Sequence, residues 1–399
     1  MGETKAVKLP EWYESRVDEL LGRLAQHLPN PFAQPSNYDD FIALHQNDYL
    51  RLSQHPEVLA AKTEANKTIG TGSVASAVFG GDSGFHKHFQ DLIKETMQVE
   101  DAILTTAGWT ANAGLLESLT PADQPIYMDK EAHASLWSGA KLSAGRIVMV
   151  KHNDVNFLES RIKREGPGVV CIDSFYSTDG SVSDLKSYVE LCEHYGCLLV
   201  LDESHSFGMI GEKGGGQAVD LGLADKVPFR VVSLSKALGG NGGFISGSER
   251  NILFLRFRLQ SVMFSSSPSE TNSAGHAAAM EIVKREPDRS KRCMDMAALL
   301  RENFKTLGID PGDSACQIVS LYFEGAYTAS KLYGAMREKG VLFSVFAPPA
   351  APHDKSFARF TVHSETNPEE MAKTAKVARE CLDNLRLVPL VGKKSRPIV

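Results

Sequence analysis

Short apolar runs alternate with helical stretches through the middle of the chain, and this alternation limits the possible folds more than any other feature. The runs are Ala102–Thr105, Pro125–Met128, Arg146–Val150, Gly168–Ile172, Cys197–Leu201, Arg230–Ser233 and Gly243–Ser246. The helical stretches between them are Ala111–Leu119, Ala132–Ala140, Val155–Arg164 and Leu185–Tyr195. Strands that alternate with helices are typical of β-α units, whose sheet is mostly parallel and covered on both faces. The sequence therefore predicts an α/β fold with a mostly parallel central sheet.

The flanking segments differ from this middle region and predict two further parts. Apolar residues at helical spacing predict a helix over Glu11–Leu28. Longer helices are predicted after residue 250, the first of them over Asn251–Ser261. A strand, helix, strand, strand, helix pattern then follows in the last part of the chain. We expect an N-terminal helix and arm over residues 1–70, a large domain over 71–285 and a small C-terminal α/β domain over 286–399.

Composition excludes several classes of function. Of the 399 residues, 42% are hydrophobic and 23% are charged, the net charge is −6, and no dense basic patch suits nucleic acid. No run approaches the roughly 20 apolar residues of a membrane span, and the first residues lack a signal-peptide core, so a cytoplasmic location is expected. The six cysteines lack zinc-site spacing, and His86 and His88 point in different directions on a predicted helix. No metal site is expected.

An acidic residue and a lysine follow two of the predicted strands. Asp202 begins DESHSFG after the strand Cys197–Leu201, and Lys236 lies in SLSKALGG after the strand that starts at Arg230. The carboxyl ends of parallel strands meet at one edge of a sheet, where α/β enzymes bind their ligands. A lysine amine can form an imine with pyridoxal 5'-phosphate (PLP), while a carboxylate keeps the pyridine nitrogen protonated. A capping aspartate and a solvated lysine are the alternative. The glycines at 239–243 lack the spacing of a dinucleotide site.

The segments DESHSFGMIGEKGGG and SLSKALGG resemble the α-oxoamine synthase family of fold-type I PLP enzymes. Further matches follow in order across about residues 40–385, among them QNDYL, TAGWTAN, AHASLWSGA and DSFYST. The resemblance implies a fold-type I transferase with a large and a small domain, assembled as a homodimer whose two subunits share each active site.

The same resemblance implies how PLP is bound. Lys236 would carry the cofactor and Asp202 would pair with its pyridine nitrogen. His205 would bond the phenolic oxygen, with Ser177 nearby, and His133 would stack on the ring. These residues other than Ser177 are the expected catalytic group.

Phosphate binding needs backbone N–H groups at a helix start together with hydroxyl groups. By the resemblance, the amides of Gly108 and Trp109 and the hydroxyl of Ser233 would bind the phosphate. Ser266, in a run of three serines, would reach it from the neighbouring subunit. A plain loop is the alternative for that run.

The family reaction is a decarboxylating condensation of an amino acid with an acyl-CoA, which gives an α-amino ketone. Arg359 would bind the amino-acid carboxylate, which suits the forked guanidinium group, and Asn47 would lie beside it. Lys236 would act as the general base at Cα.

One stretch departs from the family pattern. Many members carry Gly-Ser-Arg where this chain has an apolar run within residues 74–81, so that Ala77 replaces the arginine. We expect a medium or long fatty acyl chain at this place, because each buried methylene contributes about 0.8 kcal/mol. The motifs most resemble the branch that makes α-hydroxyketone quorum-sensing autoinducers. A biosynthetic 8-amino-7-oxononanoate synthase or glycine C-acetyltransferase is the alternative enzyme, and an inactive regulatory protein is the alternative outside catalysis.

Overall fold

The computed structural model describes residues 9–27, 38–70, 72–348, 350–351 and 354–390. The helices are α1 (Glu11–His27), α2 (Pro56–Ile69), α3 (Gly84–Met97), α4 (Gly108–Leu119), α5 (Ala134–Leu142), α6 (Val155–Glu165), α7 (Leu185–Tyr195), α8 (Gln217–Asp220), α9 (Glu249–Arg256), α10 (Gln260–Met263), α11 (Glu270–Arg285), α12 (Asp288–Thr306), α13 (Thr328–Glu338) and α14 (Pro368–Leu385). The strands are β1 (Ile42–Leu44), β2 (Asp101–Thr105), β3 (Pro125–Asp129), β4 (Arg146–Val150), β5 (Val169–Asp173), β6 (Leu198–Asp202), β7 (Phe229–Ser233), β8 (Gly243–Gly247), β9 (Ile318–Glu324), β10 (Val341–Phe346) and β11 (Lys355–Thr361).

Seven strands form the large sheet in the order β2-β8-β7-β6-β5-β3-β4. Every pair from β7 to β4 is parallel, whereas β8 runs antiparallel to both of its neighbours. The predicted fold class, a mostly parallel sheet within an α/β fold, is confirmed. The parallel strands all end at one edge, and that edge carries the polar segments of the sequence.

Both faces of the central strands β3, β5 and β6 are buried, which explains why these strands are mostly apolar. In β3, Ile126 and Met128 pack on one face with Leu115 of α4, while Tyr127 packs on the other face with Leu158 of α6. Side chains alternate between the faces of a strand, so a strand covered by helices on both sides needs apolar residues at every position.

A second sheet has four strands in the order β1-β10-β11-β9. Strand β1 precedes the large sheet in sequence, yet it pairs in parallel with β10, and Ile42 and Leu44 share a core with Phe343 and Phe360. This pairing brings the loop that follows β1 beside β11. The three predicted domain boundaries stay a prediction, and residues 1–8 and 391–399 lie outside the described residues.

One predicted helix differs from the structure. The prediction over Asn251–Ser261 is wrong as one helix, because α9 and α10 are separated at Leu259, which adopts an extended conformation and is fully buried. Its side chain packs over Gly114, where a Cβ atom would lie 2.7 Å from it. The first helix is described to His27, so its predicted end at residue 28 lies outside the described residues.

None of the helices in the described part of the chain is long and apolar enough to cross a membrane. In the same residues, no three His, Cys, Asp or Glu side chains are grouped as metal ligands. His86 is buried and bonds to the carbonyl of Pro268, as a packing histidine does.

Candidate active site

The candidate site lies at the carboxyl edge of the large sheet. Strand β6 ends at Asp202, β7 ends at Ser233, and Lys236 follows three residues later. Parallel pairing of β5, β6 and β7 places their last residues side by side, with Asp173 directly opposite Asp202. The predicted meeting of a carboxylate and a lysine follows from this topology.

Asp202 is buried and held by two hydrogen bonds. Its Oδ2 atom accepts from Nδ2 of Asn112 at 2.6 Å, and its Oδ1 atom accepts from the backbone N–H of Ser204 at 2.8 Å. Asn112 also donates to Ser135 Oγ at 2.9 Å. These contacts fix the orientation of the carboxylate in a site shielded from water.

His133 caps the N-terminus of α5. Its Nδ1 atom lies 2.6 Å from Ser135 Oγ, and its backbone N–H donates to Asp173 at 3.3 Å. The ring of Trp109 meets the imidazole edge-on, with centroids 6.2 Å apart. Burial, reinforced by the charge of Lys236, lowers the pKa of His133 below its ordinary value. The imidazole is therefore neutral at pH 7.

His205 is hydrogen-bonded to Tyr49, with 2.5 Å between Nδ1 and the hydroxyl oxygen. Burial raises the pKa of Tyr49, and burial together with the positive charge of Lys236 holds the pKa of His205 well below its ordinary value. Both groups are therefore neutral. The Tyr49 hydroxyl occupies Nδ1, so Nε2 is the ring nitrogen of His205 that is left for a ligand.

Arg359 links the small sheet to the rest of the site. Its Nη2 group donates to Asn47 Oδ1 at 3.0 Å, and its Nη1 group donates to the carbonyl oxygen of Ser177 at 2.9 Å. The guanidinium also lies over the ring of Phe346, 4.9 Å from the centroid. Three distant segments of the chain thus meet at one buried cation.

The charges of Arg359 and Asp202 both act on the side chain of Lys236. Burial and, to a smaller extent, the charge of Arg359 lower the pKa of Lys236 to about 8, while Asp202 opposes the shift. A lysine with this pKa has a far larger fraction of free amine at neutral pH than an ordinary lysine, which favours attack on an aldehyde.

The turn before α4 packs directly against the end of β7. A Cβ atom on Gly108 would lie 2.5 Å from Cβ of Ser233, so only glycine fits there. The first turn of α4, including Trp109, therefore approaches Ser233 closely, with free N–H groups at its start.

The structure brings together Asp202, His133, His205, Lys236, Gly108, Trp109, Ser177, Ser233, Asn47 and Arg359. Ser266 is set apart. It is exposed on the loop between α10 and α11, and within the described residues no hydrogen bond joins it to this group. Its predicted role belongs to a neighbouring subunit and stays a prediction, as do the roles of the other residues.

Sequence reasoning missed Asn112, Ser135, Ser204 and Tyr49. All four lie inside segments that were already singled out, which are TAGWTAN, AHASLWSGA, DESHSFG and QNDYL. Polar residues within an otherwise apolar segment were the available signal, because a buried polar side chain needs a partner.

The geometry of the site by itself fits PLP. Within the described part of the chain, Asn112 Oδ1 and Arg359 Nε are buried without a hydrogen-bond partner, and Gly108 leaves a cradle at a helix start that any side chain would fill. A carboxylate and a low-pKa amine flank this space. The carboxylate matches the ring nitrogen of PLP, the amine matches its aldehyde, and the cradle at the helix start matches its phosphate.

Comparison with known proteins agrees with this chemistry. The model of the aminotransferase class I and II family matches residues 39–377. The CAI-1 autoinducer synthase of Vibrio campbellii is 28% identical over 386 residues, 96% of this chain and 98% of that protein. The 8-amino-7-oxononanoate synthase of Symbiobacterium thermophilum is 31% identical over 382 residues, 91% of this chain and 97% of that protein.

Among solved structures, a serine palmitoyltransferase from S. paucimobilis with bound PLP and myriocin has the same fold. The TM-score is 0.88 at 22% sequence identity, over 95% of this chain and all of that one (100%). The chain therefore belongs to the aminotransferase class I and II family, in which it is a PLP-dependent acyltransferase of the α-oxoamine synthase group with the fold-type I architecture.

Proposed function

We propose that the enzyme condenses an amino acid with a fatty acyl-CoA, with loss of carbon dioxide, to give an α-amino ketone that serves as the precursor of a quorum-sensing autoinducer. One observation carries the choice of a fatty acyl chain. The run that holds Ala77 in place of the family's arginine leaves Val74 97% exposed and Phe79 80% exposed. Such a surface suits an alkyl chain and offers no charge to a carboxylated one.

PLP supplies an electron sink for the negative charge that develops at the substrate Cα. Asp202, oriented by Asn112 and Ser204, would hold a proton on the pyridine nitrogen. His205 would contact the phenolic oxygen through Nε2, since Tyr49 occupies Nδ1. The amides at the start of α4, including those of Gly108 and Trp109, and the hydroxyl of Ser233 would bind the phosphate.

The amino acid would bind through its carboxylate. Arg359 presents its guanidinium with Nη2 shared with Asn47 and with Nε unpaired among the residues that the structure describes. A carboxylate held there places Cα near Lys236, whose lowered pKa suits a base that takes a proton at neutral pH. His133 would stack on the pyridine ring of the cofactor.

The apolar run would be covered by a second copy of the chain in a homodimer. Ser267 N–H donates to the carbonyl of Ala75, so the run lies against the loop that carries Ser266. Phe264, 79% exposed, begins the same loop. Exposed aromatic and aliphatic side chains beside a serine loop support a shared site in which Ser266 reaches the partner's phosphate.

A chain-length series tests the proposed acyl substrate. The purified enzyme is supplied with one amino acid and with acyl-CoAs from acetyl to long-chain, and release of free CoA is followed. We expect kcat/KM to rise with chain length, by up to about fourfold per added methylene. A preference for acetyl-CoA or pimeloyl-CoA would refute the proposal.

The alternative function is that of 8-amino-7-oxononanoate synthase, which the Symbiobacterium thermophilum relative supports through its 31% identity. Alanine with pimeloyl-CoA is the substrate pair that separates it. Glycine with acetyl-CoA separates glycine C-acetyltransferase in the same assay.

A further inference from the structure

A buried histidine outside the residues assigned above lies between two carboxylates. His152 follows β4, and its side chain is 8% exposed. Its Nδ1 atom lies 3.0 Å from Asp129 Oδ1, and its Nε2 atom lies 2.9 Å from Ser181 Oγ and 3.7 Å from Asp179 Oδ2. A buried ring with a partner on each nitrogen can bridge the two segments that hold those partners.

Asp129 joins His152 to the turn that carries His133. As the last residue of β3, Asp129 accepts the N–H of Glu131 at its side chain (2.8 Å) and the N–H of Ala132 at its carbonyl (2.9 Å). Burial opposes ionisation of Asp129, but His152 and the N–H groups of Asn153 and Glu131 together outweigh it and lower the pKa of Asp129. The carboxylate is thus ionised, and Nδ1–H of His152 donates to it.

Ser181 joins the other side of the ring to the hairpin over residues 175–182. The hairpin is closed by a 2.9 Å hydrogen bond from the N–H of Tyr176 to the carbonyl of Ser181. It also contains Ser177, whose carbonyl oxygen accepts from Arg359. Any shift of this hairpin therefore moves a group that holds the guanidinium.

We infer that His152 is a positioning residue that fixes the turn of His133 relative to the hairpin of Ser177, and thereby sets the distance between the cofactor-stacking imidazole and the Arg359 guanidinium. The inference rests on the proposed function for the roles of those two groups. A displacement of about 1 Å at either group costs about 10²-fold in rate, so a rigid bridge between them matters. Tyr176 supplies a second bridge, since its hydroxyl donates to Asp129 Oδ2 at 2.9 Å.

Three substitutions of His152 test its hydrogen bonds to Asp129 and to Ser181 separately. His152→Phe keeps a flat ring and removes both hydrogen bonds. His152→Asn places an amide donor near Asp129, in the position of Nδ1, and His152→Gln reaches Ser181 in the position of Nε2. His88→Phe, at an exposed histidine, is the matched control.

Hydrogen exchange of the cofactor-free protein gives the first readout and needs no activity. We expect His152→Phe to speed exchange in segments 129–133 and 176–182. His152→Asn should restore slow exchange in the first segment only, and His152→Gln in the second only. In the PLP-bound enzyme, KM for the amino acid should rise about tenfold or more in His152→Phe and recover in His152→Gln.

Two results would overturn the inference. One is His152→Phe with unchanged exchange in both segments and unchanged KM. The other is that all three variants lose exchange protection and amino-acid affinity equally, in proportion to their lowered unfolding temperature. That result would mark a purely structural role. A wild-type protein that binds neither PLP nor an amino acid would instead refute the proposed function, while the exchange pattern would still decide the role of His152.

Discussion

The two walls of the active site are built in different ways. The large-sheet wall, with Asp202, Asn112 and His133, comes from consecutive β-α units whose strands end at one edge. The small-sheet wall, with Asn47 and Arg359, joins residues 312 positions apart through one side-chain hydrogen bond. The strand ends of the first wall meet through the topology of one sheet, whereas the second wall exists only once the two sheets have packed together. We therefore expect cofactor chemistry to depend on the first wall and amino-acid binding on the second.

Lys236→Ala should have the largest effect, because it removes the residue that we propose both carries PLP and acts as the base. We expect kcat to fall at least about 10³-fold and the purified protein to lose its yellow colour. Steady-state kinetics and an absorbance spectrum measure both. Lys186→Ala, at an exposed lysine, is the control and should change neither.

Asp202→Asn should isolate the large-sheet wall. The amide keeps the shape of the side chain but cannot hold a proton on the pyridine nitrogen as a carboxylate does. We expect kcat to fall about 10²-fold or more and PLP to bind more weakly, while KM for the amino acid changes little. A change confined to KM would contradict the division between the walls.

Arg359→Lys should isolate the small-sheet wall. A lysine ammonium cannot span Asn47, the Ser177 carbonyl and a substrate carboxylate at once, as the forked guanidinium does. We expect KM for the amino acid to rise about tenfold to hundredfold, with kcat and PLP absorbance nearly kept. An equal fall in kcat and PLP affinity would show that the walls act as one unit.

Tyr49→Phe should have a smaller effect that reaches both walls, since the hydroxyl contacts His205 and lies 3.4 Å from Asn47. One buried hydrogen bond contributes about 0.5–1.5 kcal/mol, so kcat/KM should fall about twofold to tenfold. The loss should be divided between kcat and KM. Wild-type values for both would remove Tyr49 from the site's hydrogen-bond network.

The smallest effect is expected in the pH dependence of the rate at which the cofactor-free protein captures PLP. Only the free amine of Lys236 attacks an aldehyde, and its pKa is lowered to about 8. Capture by the cofactor-free protein should therefore speed up as pH rises towards 8, by about tenfold per unit below it, and level off above. Because Arg359 lowers this pKa, Arg359→Gln should move the inflection to higher pH. An unchanged inflection pH in Arg359→Gln would show that Arg359 lies too far from the Lys236 amine to lower its pKa.

The same difference between the walls explains how much the sequence could predict. Asp202 and Lys236 follow apolar strands that periodicity identifies, so their meeting could be inferred from the residues. Asn47 and Arg359 were predicted only through a family resemblance, because nothing local in the sequence indicates that β1 pairs with β10. Asn112 was missed since its partner Asp202 lies 90 residues away and depends on helix packing.

Helix ends were predicted less well than strand ends. The break between α9 and α10 depends on Leu259 packing over Gly114, a tertiary contact that overrides local helix preference. The cluster around His152 also escaped sequence analysis. Its partners come from two other segments, the end of β3 and the hairpin over residues 175–182, so only the assembled structure brings them to one ring.

Reduction of the yellow protein with borohydride, followed by peptide mapping, tests the central assignment most directly. Borohydride fixes PLP permanently to the amine that carries it. The expected result is a single labelled peptide that contains SLSKALGG with the label on Lys236. A label on any other lysine, or no label on a protein that still turns over, would contradict the account.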